Sequence, residues 1–245
     1  MWFEYGVILC GAFLGAVSSG SAGFAFALIG TAVWMHVLPP REVVSLVVLC
    51  SLLLNLALVW RLRRDIEPAR LWPFLAGGFA GVPLGVAALS TVDARWLRAT
   101  VGALLVLYSL WRLARSVPPV LRLRAGPGRL LDGLIGMVGG FLGGATSLNG
   151  LVPTLWSGLR GWSKREQRGV FQPYILIIHV VTLGWLGGAG AVTRATFVHF
   201  ALSLPALAIG ALVGLRIYDL VEEPGFQRIV LGLFLLSGGT LLLRG

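Results

Sequence analysis

Apolar runs follow one another along almost the whole of this chain, separated only by short arginine-bearing connectors. Hydrophobic residues make up 57% and charged residues 12% of the 245 residues. Soluble domains carry about twice that charged fraction. The pattern is that of a polytopic membrane protein with no room for a separate soluble domain. Only helices and closed barrels satisfy every backbone group in lipid. Long unbroken apolar runs exclude the alternating pattern of a barrel, so the fold class is all-α.

The net charge is +10, but the arginines sit in the connectors. There they face anionic lipid and set topology, and no nucleic-acid partner is expected. Cys10 and Cys50 both lie in apolar segments, so no disulfide framework is implied. The first residues carry Glu4 and no basic group, unlike a signal peptide, and are expected to be retained.

Two apolar segments are interrupted by small and polar residues. Leu142–Gly150 reads Leu-Gly-Gly-Ala-Thr-Ser-Leu-Asn-Gly, and Ser18–Gly23 reads Ser-Ser-Gly-Ser-Ala-Gly. Irregular backbone at membrane depth is tolerated only where it lines a cavity inside protein. Such a break points to a substrate site. The legs around the first break are Tyr5–Ser18 and Phe24–Leu38. Each is about 14 residues, or ~21 Å, against a hydrocarbon core of ~30 Å. Each broken segment therefore reads as a helical hairpin (residues 5–38 and 130–159), re-entrant or made of two short spans.

Spans are expected at 42–60, 71–92 and 95–111, then, after the linker 114–128, at 169–186, 194–215 and 226–243. This divides the chain into a first repeat, 1–113, and a second, 129–245. At an offset of 124, Gly15 falls on Gly139, Gly20 on Gly144, Arg41-Glu42 on Arg165-Glu166 and Asn55 on His179. At 129, Gly81 and Gly85 fall on Gly210 and Gly214; at 130, Arg98 and Gly102 fall on Arg228 and Gly232. If each broken segment returns to the side it entered, one side of the membrane collects 15 of the 20 basic residues. A single crossing per broken segment gives only 11 against 9. The positive-inside rule favours the first arrangement, which makes the halves inverted repeats and leaves both termini outside the cytoplasm.

Inverted repeats with broken helices place a site at the midplane between the halves. A helix that starts there presents backbone N–H groups and a partial positive charge, which suit an anion. The candidate substrate-binding residues are Ser18, Ser19, Gly20 and Ser21 from the first break, and Gly143, Gly144, Thr146, Ser147 and Asn149 from the second. His179, Asn55 and Gln172 are polar residues inside spans, where burial is costly and function is the first expectation. His36 and His199 lie nearer segment ends and are read as packed or interfacial. No carboxylate lies near the centre of any span, so a buried proton relay has no support. There is no metal-ligand cluster, no nucleotide-binding motif and no intramembrane protease signature, so neither metal, other cofactor nor enzyme activity is expected.

Further residues carry a family resemblance. A Gly-rich broken segment, Gly11-Ala-Phe-Leu-Gly15 through Gly23, precedes Pro40-Arg-Glu42. It recurs as Gly139-Gly140-Phe-Leu-Gly-Gly144 before Lys164-Arg-Glu166. Gly81-x-x-x-Gly85 and Gly210-x-x-x-Gly214 follow in the two halves. The chain resembles the sulfite exporter TauE/SafE family, also called the 4-toluene sulfonate uptake permease family. The resemblance implies an inner-membrane carrier, bacterial or archaeal, whose partner is a small inorganic or organic sulfur anion such as sulfite, thiosulfate or sulfoacetate. Export is the implied direction. A carboxylate or other small-anion carrier on the same scaffold, or a non-transporting membrane subunit, is the alternative. A homodimer is left open.

Overall fold

The computed structural model describes residues 2–22, 25–114, 121, 125–220 and 223–244. Among these the chain is all-helical, with no strand. The ten helices are α1 (Trp2–Ala22), α2 (Ala25–Trp34), α3 (Pro40–Leu62), α4 (Pro68–Thr91), α5 (Ala94–Ala114), α6 (Ala125–Thr146), α7 (Leu151–Leu159), α8 (Lys164–Gly188), α9 (Arg194–Leu220) and α10 (Glu223–Arg244). Five are long and apolar enough to cross a membrane: 40–60, 68–91, 94–114, 165–188 and 194–214. Pro40 opens α3, at the first helical position, where its missing N–H costs nothing. Ser163 caps α8 in a reciprocal capping box with Glu166.

The first legs of the two broken segments are longer than the sequence suggests. α1 stays helical through Ser18, Ser19, Gly20 and Ser21 to Ala22, and α6 continues through Gly143 and Gly144 to Thr146. Ser18 Oγ donates to the Leu14 carbonyl at 2.9 Å, and Thr146 Oγ1 to that of Leu142 at 2.8 Å. Such back-bonding lets hydroxyl residues stay inside a helix. Of Gly20 and Ser21 only the helical backbone is described, and Gly23 and Phe24 lie outside the described residues.

Both broken segments fold as antiparallel hairpins. In the first, Gly11 lies against Trp34 and Gly15 against Phe26. The Trp34 indole donates to the Ile8 carbonyl at 3.1 Å. In the second, Gly139 lies against Pro153, and the Trp156 indole donates to Asp132 at 2.7 Å. Ile8 and Asp132 are 124 residues apart and Trp34 and Trp156 are 122 apart, so the two ties fall at nearly the same spacing.

The chain forms two compact units. The first comprises Met1–Cys50, Val92–Ser116 and Val192–Gly245. Within it α1 and α9 run parallel. Gly210 meets the Phe13 carbonyl and Gly214 that of Val17, each so closely that a Cβ would strike backbone. α5 and α10 run antiparallel: Gly102 faces Leu241 and Leu242, Gly238 faces Leu105 and Val106, and Tyr108 packs on Phe234.

The second unit comprises Ser51–Thr91 and Val117–Ala191. Here α4 and α6 run parallel with backbones in contact. Gly77, Gly81 and Gly85 meet the carbonyls of Gly133, Met137 and Phe141 in turn, while Gly136, Gly140 and Gly144 meet those of Phe74, Gly78 and Val82. Small residues permit this approach where lipid supplies no hydrophobic drive between helices. Phe13 and Val17 lie 124 residues before Met137 and Phe141, and Gly81 and Gly85 lie 129 before Gly210 and Gly214. One glycine-on-carbonyl contact thus recurs in both units. α8 lies parallel to α4 through Phe74–Phe171 and Gly78–Ile178.

Candidate functional site

The second unit gathers one group of the expected residues around the end of α6. Ser147 has φ 66° and terminates the helix; it is the one described non-glycine residue with positive φ. Its N–H still donates to the Gly143 carbonyl at 3.0 Å. Its hydroxyl turns back on the Thr146 carbonyl. A left-handed residue at this position is the usual way to stop a helix, normally with glycine or asparagine. A serine held there is a strained choice that the surroundings must support.

The next residues cross to α8. Asn149 is buried, and its Nδ2 donates to the Ile175 carbonyl at 3.2 Å. Gly143 makes room for it, because a Cβ there would lie 2.8 Å from that of Asn149. The Ser147 backbone lies beside the His179 ring. Tyr174 ties α8 to α6 by donating to the Gly136 carbonyl at 2.8 Å.

Among the described residues, the buried polar side-chain atoms without a hydrogen-bond partner lie on α8 and α3, except Arg98 Nε on α5. They include Gln172 Oε1, both ring nitrogens of His179, Thr182 Oγ1, Ser51 Oγ and Asn55 Oδ1. Gln172, His179 and Thr182 fall at i, i+7 and i+10 and share one helical face with Ile175, whose carbonyl binds Asn149. Pro173 sits inside α8 and removes one backbone N–H from its ladder. On α3 the Asn55 amide donates to the Ser51 carbonyl at 2.8 Å, which leaves its oxygen open. Buried polar groups are nearly always satisfied, and each one left open costs about 1–3 kcal/mol. Several unsatisfied groups in one unit make this polar surface the candidate site.

The expected residues thus fall into three groups. Thr146, Ser147, Asn149, Gly143 and His179 converge where α6 ends against α8, and Gln172 lies two turns before His179 on the same face of α8. Asn55 is buried in the same unit on α3. Ser18 and Ser19 belong to the first unit, on α1. Gly144 serves packing, since it faces the Val82 carbonyl of α4. The start of α7 offers fewer donors than a free helix end. Leu151 N–H donates to the Leu148 carbonyl at 3.3 Å, and Pro153 has no N–H. Ser51 and Thr182 are additions that the sequence reading lacked. Their signal was their spacing, four residues before Asn55 and three after His179.

The polar surface is lined by hydroxyl, amide and imidazole groups. Among the described residues no group of His, Cys, Asp and Glu could hold a metal ion. The family model for sulfite exporter TauE/SafE matches residues 7–241. No curated protein and no solved structure gives a match. The match runs through both hairpins and every candidate residue, and the family is one of membrane transporters, not enzymes. The chain belongs to the sulfite exporter TauE/SafE family, as a multi-pass membrane transporter of the sulfur-anion exporter kind.

Proposed function

We propose that this protein is a secondary transporter that moves a small sulfur-containing oxyanion, sulfite, thiosulfate or an organosulfonate such as sulfoacetate, out of a bacterial or archaeal cell across its inner membrane. The observation that carries the reading is the buried, unpartnered polar face of α8. Gln172, His179 and Thr182 offer side-chain groups there, beside the Ser147–Asn149 break. A trigonal or tetrahedral oxyanion presents several acceptors on one small head. The His179 ring N–H, the Thr182 hydroxyl and the Nε2 end of the Gln172 amide supply donors, and the hydroxyls of Thr146 and Ser147 join them by turning away from the Leu142 and Thr146 carbonyls they bind. Asn55 and Ser51 bring further polar groups from α3, and Ser18 and Ser19 are the candidates of the first unit.

Export needs no carboxylate relay. A negative cell interior favours an anion's exit by about 2.3 kcal/mol per charge per 100 mV.

The topology is part of the proposal. The two halves are inverted repeats, with both termini on the non-cytoplasmic side. The antiparallel packing of α5 on α10 supports this, because these helices close the two halves and a parallel repeat would align them.

Counterflow in proteoliposomes tests the function. Radiolabelled sulfite, thiosulfate and sulfoacetate are compared with acetate and citrate. Saturable exchange of a sulfur anion, lost on Thr146→Val with Ser147→Ala, supports function and site together. Exchange that survives the double substitution keeps the function and discards that part of the site. Exchange of the carboxylates alone makes the protein a carboxylate carrier.

A further inference from the structure

A second ionisable cluster lies in the first unit. His199, on the second turn of α9, is buried. Its Nδ1 lies 2.7 Å from Glu42 Oε1 at the start of α3, and its Nε2 lies 4.0 Å from Glu4 Oε1 on the first turn of α1. The Tyr5 ring closes over it edge-on at 6.1 Å. Glu4 and Tyr5 from α1 and Glu42 from α3 are the charged and titratable groups that face the ring. Arg41 and Arg194 are exposed nearby. Three helix beginnings meet at this one imidazole.

The second unit holds the equivalent contact with a different residue. Glu166, 124 residues after Glu42, begins α8, and Arg70, 129 residues before His199, begins α4. Arg70 Nη1 lies 2.8 Å from Glu166 Oε1, and its Nε lies 2.9 Å from Glu67. In each unit one basic side chain thus lies between two carboxylates, Arg70 bonded to both and His199 bonded to Glu42 with Glu4 4.0 Å from its other nitrogen. Arginine is always charged, so it donates to both at any pH. A neutral imidazole has a single N–H and can serve only one carboxylate; a protonated ring donates from both nitrogens.

We infer that His199, held between Glu42 and Glu4, is a proton-binding site that makes the clasp of α9 on α3 and α1 respond to pH, whereas its counterpart Arg70 holds α4 on α8 permanently. Protonation places a positive charge between two carboxylates and tightens the clasp. Loss of the proton leaves one hydrogen bond and two carboxylates without a cation between them. Histidine is the side chain whose charge changes within about pH 5 to 8. Under the proposed topology this end faces away from the cytoplasm, so the site reads the outer pH. The coupling to transport rests on the proposed function; the clasp itself does not.

The test uses the full-length protein and the variants His199→Arg, His199→Gln and Glu42→Gln, with two readouts. The first is the thermal midpoint in detergent across about pH 5 to 8. The wild type is expected to lose stability relative to His199→Arg as pH rises, and His199→Gln and Glu42→Gln to lose that pH-dependent difference. The second is thiosulfate counterflow in right-side-out vesicles, with thiosulfate chosen because its charge is constant over this range. Wild-type exchange is expected to change about fivefold or more with external pH, the lower end of measured site-to-site couplings, and His199→Arg to stay at the wild-type acidic value. Thermal profiles of wild type and His199→Arg that run parallel at all pH values overturn the inference. Absence of thiosulfate exchange removes thiosulfate from the proposed substrates and leaves the clasp to be decided by the thermal profile. If His199→Arg does not fold, a pH response retained by both His199→Gln and Glu42→Gln overturns it.

Discussion

The Trp156 indole donates to the Asp132 carboxylate across the second hairpin, 2.7 Å away, and Arg160 reaches the same oxygen at 3.2 Å. Asp132 is buried, and these two donors satisfy its carboxylate. Asp132→Ala strands the indole N–H and a largely buried guanidinium together. The expected cost is about 3 kcal/mol, as for breaking a buried ion pair. In the first hairpin the acceptor is the Ile8 backbone carbonyl, a neutral hydrogen bond of about 1 kcal/mol. Thermal unfolding in detergent measures the loss in Asp132→Ala; a loss no larger than that of one neutral hydrogen bond would deny the ion pair its role.

Gly81 and Gly210 are expected to behave alike. A Cβ at either position strikes the backbone of a neighbouring helix, at Met137 and at Phe13. Backbone cannot rotate away, so Gly81→Ala and Gly210→Ala should each cost about 1–3 kcal/mol, as overpacking does. Gly184→Ala on α8 is the control, because nothing lies within 4 Å of its Cβ position. Helix propensity alone then predicts a gain of about 0.5–1 kcal/mol. A destabilised Gly184→Ala would show that thermal midpoints here report something other than local packing.

Ser147 separates backbone from hydroxyl. Its φ of 66° suits glycine. Ser147→Gly should keep or raise the thermal midpoint, whereas Ser147→Val should cost about 1–3 kcal/mol, because a β-branched side chain is strained in the left-handed region. If the hydroxyl also binds the anion, Ser147→Gly will weaken counterflow while leaving the fold intact. Unchanged counterflow would restrict Ser147 to shaping the turn.

His179 is the most demanding test of the candidate site. Hydrogen bonds to charged groups contribute about 1.5–3 kcal/mol. His179→Ala should therefore lower the apparent affinity for the sulfur anion about tenfold or more. His179→Gln, which restores one donor, should recover part of it. Wild-type affinity in His179→Ala would remove the residue from the site.

The class of the protein, its helices and the existence of two breaks were legible in the residues, because apolar length and small-residue interruptions are local properties. Gly81, Gly85, Gly210 and Gly214 could be matched by spacing alone. Their partners Met137, Phe141, Phe13 and Val17 could not, since nothing local says which helix a glycine face will meet. The end of the helix at Ser147 rather than at Gly143 was likewise hidden. Glycine permits a break, but the close approach of α4 rewards continued helix through Gly144. Asn149 and His179 were recognisable as buried polar residues within apolar segments. That the Asn149 amide would be spent on the Ile175 carbonyl while Gln172, His179 and Thr182 stayed open was decided by how α6 and α8 pack. Local composition determined which groups would be buried; the tertiary arrangement decided which were left without partners, because hydrogen bonds form between atoms that only folding brings together.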